Sequence, residues 1–177
     1  MENEFDVVVV GAGISGIGAG AHFNLKCPDQ TYVILEGRES FGGTWDLFKY
    51  PGIRSDSDMH TLGYSFKPWV HKKSIANAPA IMEYLEETID EYELHPHIRY
   101  NHHVETANWS PKEGKWIVSV TDKVNNKEII FKGKLLYMCS GYYKYAHGYE
   151  PKFEGSENFQ GQIVHPQKWS DDVEYEN

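Results

Sequence analysis

The chain has 177 residues, of which 40% are hydrophobic and 24% charged, with a formal net charge of -9. That length suits one domain with an ample hydrophobic core, and the balance is that of a soluble globular protein. The acidic surface argues against general binding to nucleic acid or an anionic membrane, and no apolar stretch reaches transmembrane length.

Met1 to Phe5 is acidic and lacks the apolar centre of a signal peptide. Asp6 to Val10 is a short β-branched run, the pattern of a strand buried on both faces of a parallel sheet. It leads straight into Gly11-x-Gly13-x-x-Gly16. Gly11 suits the tight turn out of the strand. Gly13, without a Cβ, lets a pyrophosphate approach the backbone, and Gly16 lets the next helix pack close to the strand. Ile14 to Lys26 reads as that helix, whose first-turn N–H groups and dipole favour phosphate. Cys27-Pro28-Asp29-Gln30 ends it. Tyr32 to Leu35 is the second parallel strand. Glu36 follows Gly16 by about twenty residues, where a carboxylate accepts hydrogen bonds from a ribose. Phe5 to Glu36 is therefore one βαβ unit of the kind that holds an adenosine diphosphate moiety.

Arg38 to Asp56 shows no secondary-structure period, and Gly42-Gly43 and Pro51-Gly52 are turn signals. The segment is too aromatic for disorder, so a functional loop is expected. A glycine pair here lets backbone pass close to a second phosphate or a flavin. Aromatic residues make up 14% of the chain. Of Trp45, Trp69, Trp109, Trp116 and Trp169, several fall in such loops, and that placement suggests a flat ligand or an interdomain surface. Thr61 to Trp69 continues the loop. Asn77-Ala78-Pro79 starts a helix with Ile81, Tyr84, Leu85, Ile89 and Tyr92 on its apolar side. Glu83, Glu86, Glu87, Asp90 and Glu91 form its solvated side, and His95-Pro96-His97 ends it. Ile98 to Tyr100 reads as a short parallel strand. Val104 to Trp109, Lys115 to Asp122 and Glu128 to Phe131 read as three antiparallel strands. His102 and His103 point to opposite sides of a strand, so no metal site is expected there. Leu135 to Cys139 is the last parallel strand, and an aromatic loop runs from Tyr142 to Tyr149. Cys139 and Cys27 form no ligand spacing. A buried thiol at Cys139 and a reduced, cytoplasmic setting are expected.

Two patterns carry a family resemblance. Gly42-Gly43-x-Trp45-x-x-x-x-Tyr50-Pro51-Gly52-x-x-x-Asp56 resembles one fingerprint of the Baeyer–Villiger flavin monooxygenases. Phe159-x-Gly161-x-x-x-His165-x-x-x-Trp169 resembles their other fingerprint, with Ser170 where the family usually has Pro or Asp. The likeness is greatest to the ethionamide-activating branch and covers nearly the whole chain.

The resemblance implies an α/β fold, a doubly wound Rossmann-like FAD-binding domain with a three-stranded β-meander. Residues 1–150 would be the N-terminal part of that domain, and 151–177 a linker towards an NADPH-binding domain beyond Asn177. It implies FAD contacts from Gly11, Gly13, Ser15, Gly16, Glu36, Gly43, Thr44, Trp45, Asp46, Leu47 and the backbone at Val104. Arg54 and Ser55 would lie near the nicotinamide cofactor. Asp56 would be the active-site aspartate that positions an arginine beside the flavin. Of the fingerprint residues Phe159, Gly161, His165 and Trp169, His165 and Trp169 would lie in a linker that couples the two dinucleotide domains without touching the isoalloxazine ring. The implied reaction reduces FAD with NADPH and forms a peroxyflavin with molecular oxygen. That species converts a ketone to an ester or oxidises a sulfur compound. For the chain alone, apolar residues bare on the Leu135–Cys139 strand and self-association are expected. A self-sufficient FAD-binding or electron-transfer module and a nicotinamide dehydrogenase remain open alternatives on the residues themselves.

Overall fold

The computed structural model of the protein describes residues 3–170 and 172–175. In chain order the elements are β1 (Glu4–Val10), α1 (Ile14–Lys26), β2 (Tyr32–Leu35), α2 (Thr44–Leu47), α3 (Met59–Leu62) and α4 (Ala78–Glu91). They are followed by β3 (Ile98–Arg99), β4 (His102–Ser110), β5 (Lys115–Asp122) and β6 (Lys127–Met138). The strands form one sheet in the order β3-β2-β1-β6-β5-β4. β3, β2, β1 and β6 run parallel, whereas β4, β5 and the first half of β6 form the antiparallel meander.

The valine run of β1 is explained by cover on both faces. Val7 and Val9, with Tyr32 and Ile34 of β2, face Ile17 and Ala21 of α1 and Ile81, Leu85 and Ile89 of α4. Val8, with Val33 and Leu35, faces the other way onto Val118, Val120 and Phe131 of the meander. Each such valine contributes about 1.5–3 kcal/mol relative to an exposed one. The α4 start follows its sequence signal: the Asn77 side chain accepts the Ala80 N–H at 3.1 Å, with Pro in the first turn.

Three expectations are corrected. First, Glu128–Phe131 and Leu135–Cys139 are not separate strands, because β6 runs unbroken from Lys127 to Met138. Lys132 and Gly133 pair with β5 on one side and β1 on the other, so one strand ends the meander and enters the parallel sheet. A Cβ at Gly133 would lie 2.8 Å from Val8 Cγ2. The glycine that looks like a break marks a close approach between strands. Second, the aromatic loop contains two single helical turns, α2 and α3. Asp58 caps α3 by accepting the Thr61 N–H at 3.0 Å. Third, Trp69 does not face a ligand. It is 5% exposed within the main core, and its indole N–H donates to the Lys73 carbonyl at 2.9 Å.

α1 and α4 cover β1, β2 and β3 but stop short of β6. Leu135 and Tyr137, which register with Val7 and Val9, are therefore 49% and 48% exposed. This is the bare apolar strand expected from the sequence.

Candidate functional site

A cleft of about 1590 Å³ opens at the C-terminal ends of β1, β2 and β6. The chain leaves β1 towards β2 on one side and returns through β6 on the other. The cleft thus sits at a topological switch point, where open α/β sheets bind ligands. Its floor is the turn from β1 into α1. A side chain at Gly16 would place Cβ 1.8 Å from the Gly11 carbonyl oxygen, so only glycine fits there. Gly13 begins α1 without a side-chain cap, leaving the first-turn N–H groups directed at the cleft.

A second bare turn faces the first. Gly42 and Gly43 both have positive φ, and the Gly42 N–H donates to the Ala12 carbonyl at 2.9 Å. A Cβ on Gly43 would come within 3.3 Å of the Gly13 Cα. Two backbone turns therefore approach each other with no side chain between them. α2 follows directly, and Thr44, Trp45 and Leu47 line the wall.

Glu36 lies at the end of β2 and is only 7% exposed, yet it borders the cleft. One carboxylate oxygen accepts the Ala12 N–H at 2.8 Å, and the other accepts the Arg38 N–H at 2.9 Å. Each oxygen retains capacity for another donor, and a carboxylate offers acceptors only. The two backbone N–H groups thus hold the Glu36 carboxylate in one orientation at the edge of the cleft. Val104 borders the same end, beside His103 and Lys123. Lys123 donates to the Gly37 carbonyl at 2.7 Å, tying the meander to this loop.

Asp46 points back under the loop instead of standing free. It pairs with Arg38 at 2.6 Å and Lys49 at 3.3 Å and accepts from the Ser40 hydroxyl. Burial pushes its carboxyl up, but the Ser40 hydrogen bond and the Arg38 and Lys49 charges outweigh it and hold the group below the usual range. Arg38, which the sequence did not single out, is the residue that orders this loop.

At the far end of the cleft lie Arg54, Ser55 and Asp56. Asp56 is exposed. Ser55 is buried, and its hydroxyl accepts the Ala76 N–H at 3.1 Å, so this side chain holds the loop to the segment before α4. Ser15 is exposed on the first turn of α1 and lines the cleft. The aromatic loop after β6 forms the opposite rim, with the Tyr143 ring 5.4 Å from Phe48 and edge-on to it. Tyr143 has its phenol held up by its neighbour Tyr142, with the Asp56 carboxylate adding to the effect.

The C-terminal pattern divides. His165 reaches the cleft, whereas Phe159, Gly161 and Trp169 do not line it. The His165 ring covers Gly148, where a Cβ would lie 2.0 Å from Cε1, and its Nδ1 accepts the Gln167 N–H at 3.1 Å. Phe159 folds over Gly161, with its Cζ 2.4 Å from where a Cβ would stand. Trp169 packs edge-on against Tyr175 at 5.3 Å. The paired spacing of Phe and Gly thus has a local packing cause.

Comparison with known proteins places these features. The family model described as flavin-binding monooxygenase-like matches residues 5–177. The chain is 53% identical over 175 residues to the FAD-containing monooxygenase EthA of Mycolicibacterium smegmatis, covering 99% of this chain and 35% of that protein. It is 49% identical over 176 residues to EthA of Mycobacterium tuberculosis, covering 99% and 36%. The chain therefore spans about a third of the length of the curated relatives it matches. Among solved structures, an oxidised steroid monooxygenase bound to NADP superposes with a TM-score of 0.75 at 30% identity, over 96% of this chain and 32% of that one. The OTEMO complex with FAD and NADP gives 0.74 at 26% identity, over 94% and 31%. With the glycine turns, the switch-point cleft and the match running almost end to end, this chain belongs to the flavin-binding monooxygenase-like family.

Proposed function

We propose that the cleft is an FAD site and that the chain forms the FAD-binding part of an NADPH-dependent monooxygenase. The observation that carries this reading is the pair of opposed glycine turns beneath the fixed, acceptor-only Glu36. A dinucleotide needs a close backbone approach at its pyrophosphate and an acceptor for its ribose hydroxyls, and these residues fit both needs. Gly11, Gly13, Ser15 and Gly16 would hold the pyrophosphate with Gly43. Glu36 would take the ribose, and the Val104 backbone would border the adenine. Thr44, Trp45 and Leu47 would flank the flavin end, with Asp46 bracing the loop beneath them and Arg54, Ser55 and Asp56 beyond.

When bound, FAD supplies the redox chemistry that joins NADPH oxidation to insertion of one oxygen atom into a ketone or onto sulfur. The chain's own task is to hold the cofactor and keep water out. Trp45, Phe48 and Tyr143 supply the apolar rim for that exclusion. Asp56, exposed at the far end, would orient a cationic group beside the reacting centre. Residues 1–150 would make the FAD-binding unit and 151–177 the link towards an NADPH-binding unit, in a cytoplasmic enzyme.

Purified protein should carry or take up FAD, seen as flavin absorbance and saturable quenching of flavin fluorescence. Glu36→Ala should weaken that binding by roughly 1–3 kcal/mol, the scale of lost charge-assisted hydrogen bonds. A colourless protein that ignores FAD and binds NAD would overturn the reading.

A further inference from the structure

Met82, on the first turns of α4, lies behind the second glycine turn. A Cβ at Gly42 would stand 2.3 Å from its Sδ and 2.7 Å from its Cε. Gly42 is buried with φ +101, its N–H donates to the Ala12 carbonyl, and its own carbonyl accepts the Trp45 N–H at 3.1 Å. The thioether therefore packs on the residue that ties one glycine turn to the other and starts α2. Interiors this close-packed transmit small changes of volume to their neighbours. The described methionines differ in access: Met59 is fully buried, Met138 is 58% exposed, and Met82 lies between them.

We propose that Met82 is an oxidation site through which peroxide lowers the affinity of the cleft for FAD. The proposal rests on the flavin reading above. Hydrogen peroxide gives one oxygen atom to Sδ: an S–O bond forms, the O–O bond breaks, sulfur loses two electrons and water leaves. The sulfoxide is polar and bulkier than the thioether that packs on Gly42. The altered contact then shifts Gly42, carrying Gly43 away from Gly13 and straining the bond to Ala12. Enzymatic reduction of the sulfoxide would restore the packing, so the change is reversible in principle.

The test uses the chain in a Met138→Leu background, which silences the exposed methionine. Hydrogen peroxide treatment is followed by peptide mass mapping and by FAD titration, each protein being compared with its own untreated sample. Met82 should gain one oxygen, and the FAD dissociation constant should rise roughly tenfold or more, as expected for a disrupted packing contact. The Met82→Leu, Met138→Leu double variant should keep its affinity through the same treatment, which also controls for oxidation of Cys27 or Cys139. Met82→Gln, which carries a polar oxygen without oxidation, should bind FAD more weakly than Met82→Leu. Met82 sulfoxide with unchanged FAD affinity would overturn the proposal, as would a Met82 left intact at peroxide levels that fully oxidise Met138 in the parent chain. Failure of the untreated protein to bind FAD would overturn the flavin reading itself, and the proposal with it.

Discussion

Glu36 serves two purposes, and they can be separated. Its position after β2 is legible in the sequence, whereas its backbone partners are not, because Ala12 comes from across the glycine turn. Ala12 is fully buried, so Glu36→Ala strands its N–H as well as removing the ribose acceptor. An unsatisfied buried donor costs about 1–3 kcal/mol. In urea unfolding without FAD, Glu36→Ala should therefore be clearly less stable than the parent. Glu36→Gln, which keeps an acceptor oxygen, should lose less. Equal stability of the three would show that Glu36 does not brace the turn. Cys139 gives a second residue-level expectation. Burial pushes its thiol up to about 11. Because the thiolate is the nucleophile, iodoacetamide at neutral pH should label exposed Cys27 well before Cys139. Labelling of Cys139 should rise as the pH approaches that value. Equal labelling rates by mass spectrometry at neutral pH would contradict this. His165 and Phe159 mark the other limit of sequence reading: their spacing was visible, but their contacts with Gly148 and Gly161 depend on how an irregular chain folds back.

Among the elements, β1, α1, β2 and α4 follow patterns that burial itself imposes, so valine runs and helical spacing locate them well. β6 defeats that approach. Lys132-Gly133-Lys134 has the composition of a turn, yet each lysine finds an acidic partner, Glu113 and Asp6 respectively, and the strand continues. Pairing on both sides overrides local composition. Gly133→Val should therefore be destabilising despite its favourable strand propensity. The new side chain would meet Val8 Cγ2 at 2.8 Å and the Val8 nitrogen at 3.3 Å. Overpacking of this kind costs about 1–3 kcal/mol, readable as a lower urea midpoint. A variant as stable as the parent would mean that the two strands can separate at little cost. Trp69 teaches the converse. A tryptophan in a loop-like segment proved to be core, because the segment folds under α4 and the indole N–H finds a carbonyl.

In the whole molecule, the cleft walls come from the β1 turn, the loop after β2, the meander and the aromatic loop after β6. A ligand that touches all four should couple them. FAD should raise the midpoint of thermal unfolding, and the rise should grow with FAD concentration, since a ligand bound only by the folded state stabilises it by mass action. An FAD-independent transition would show that the cleft does not hold the cofactor. The same joining of distant segments has a consequence in time. Asp6 on β1 meets Lys134 on β6 across 128 positions of chain. At about 5–20 residues per second, ribosomal synthesis takes roughly 6–25 s to cover that distance. β1 emerges before its neighbours and is soon flanked on one side by β2, but its other edge waits until β6 has emerged. The middle of this sheet is thus its last seam to close, leaving the valines of a newborn chain open to wrong partners during that interval.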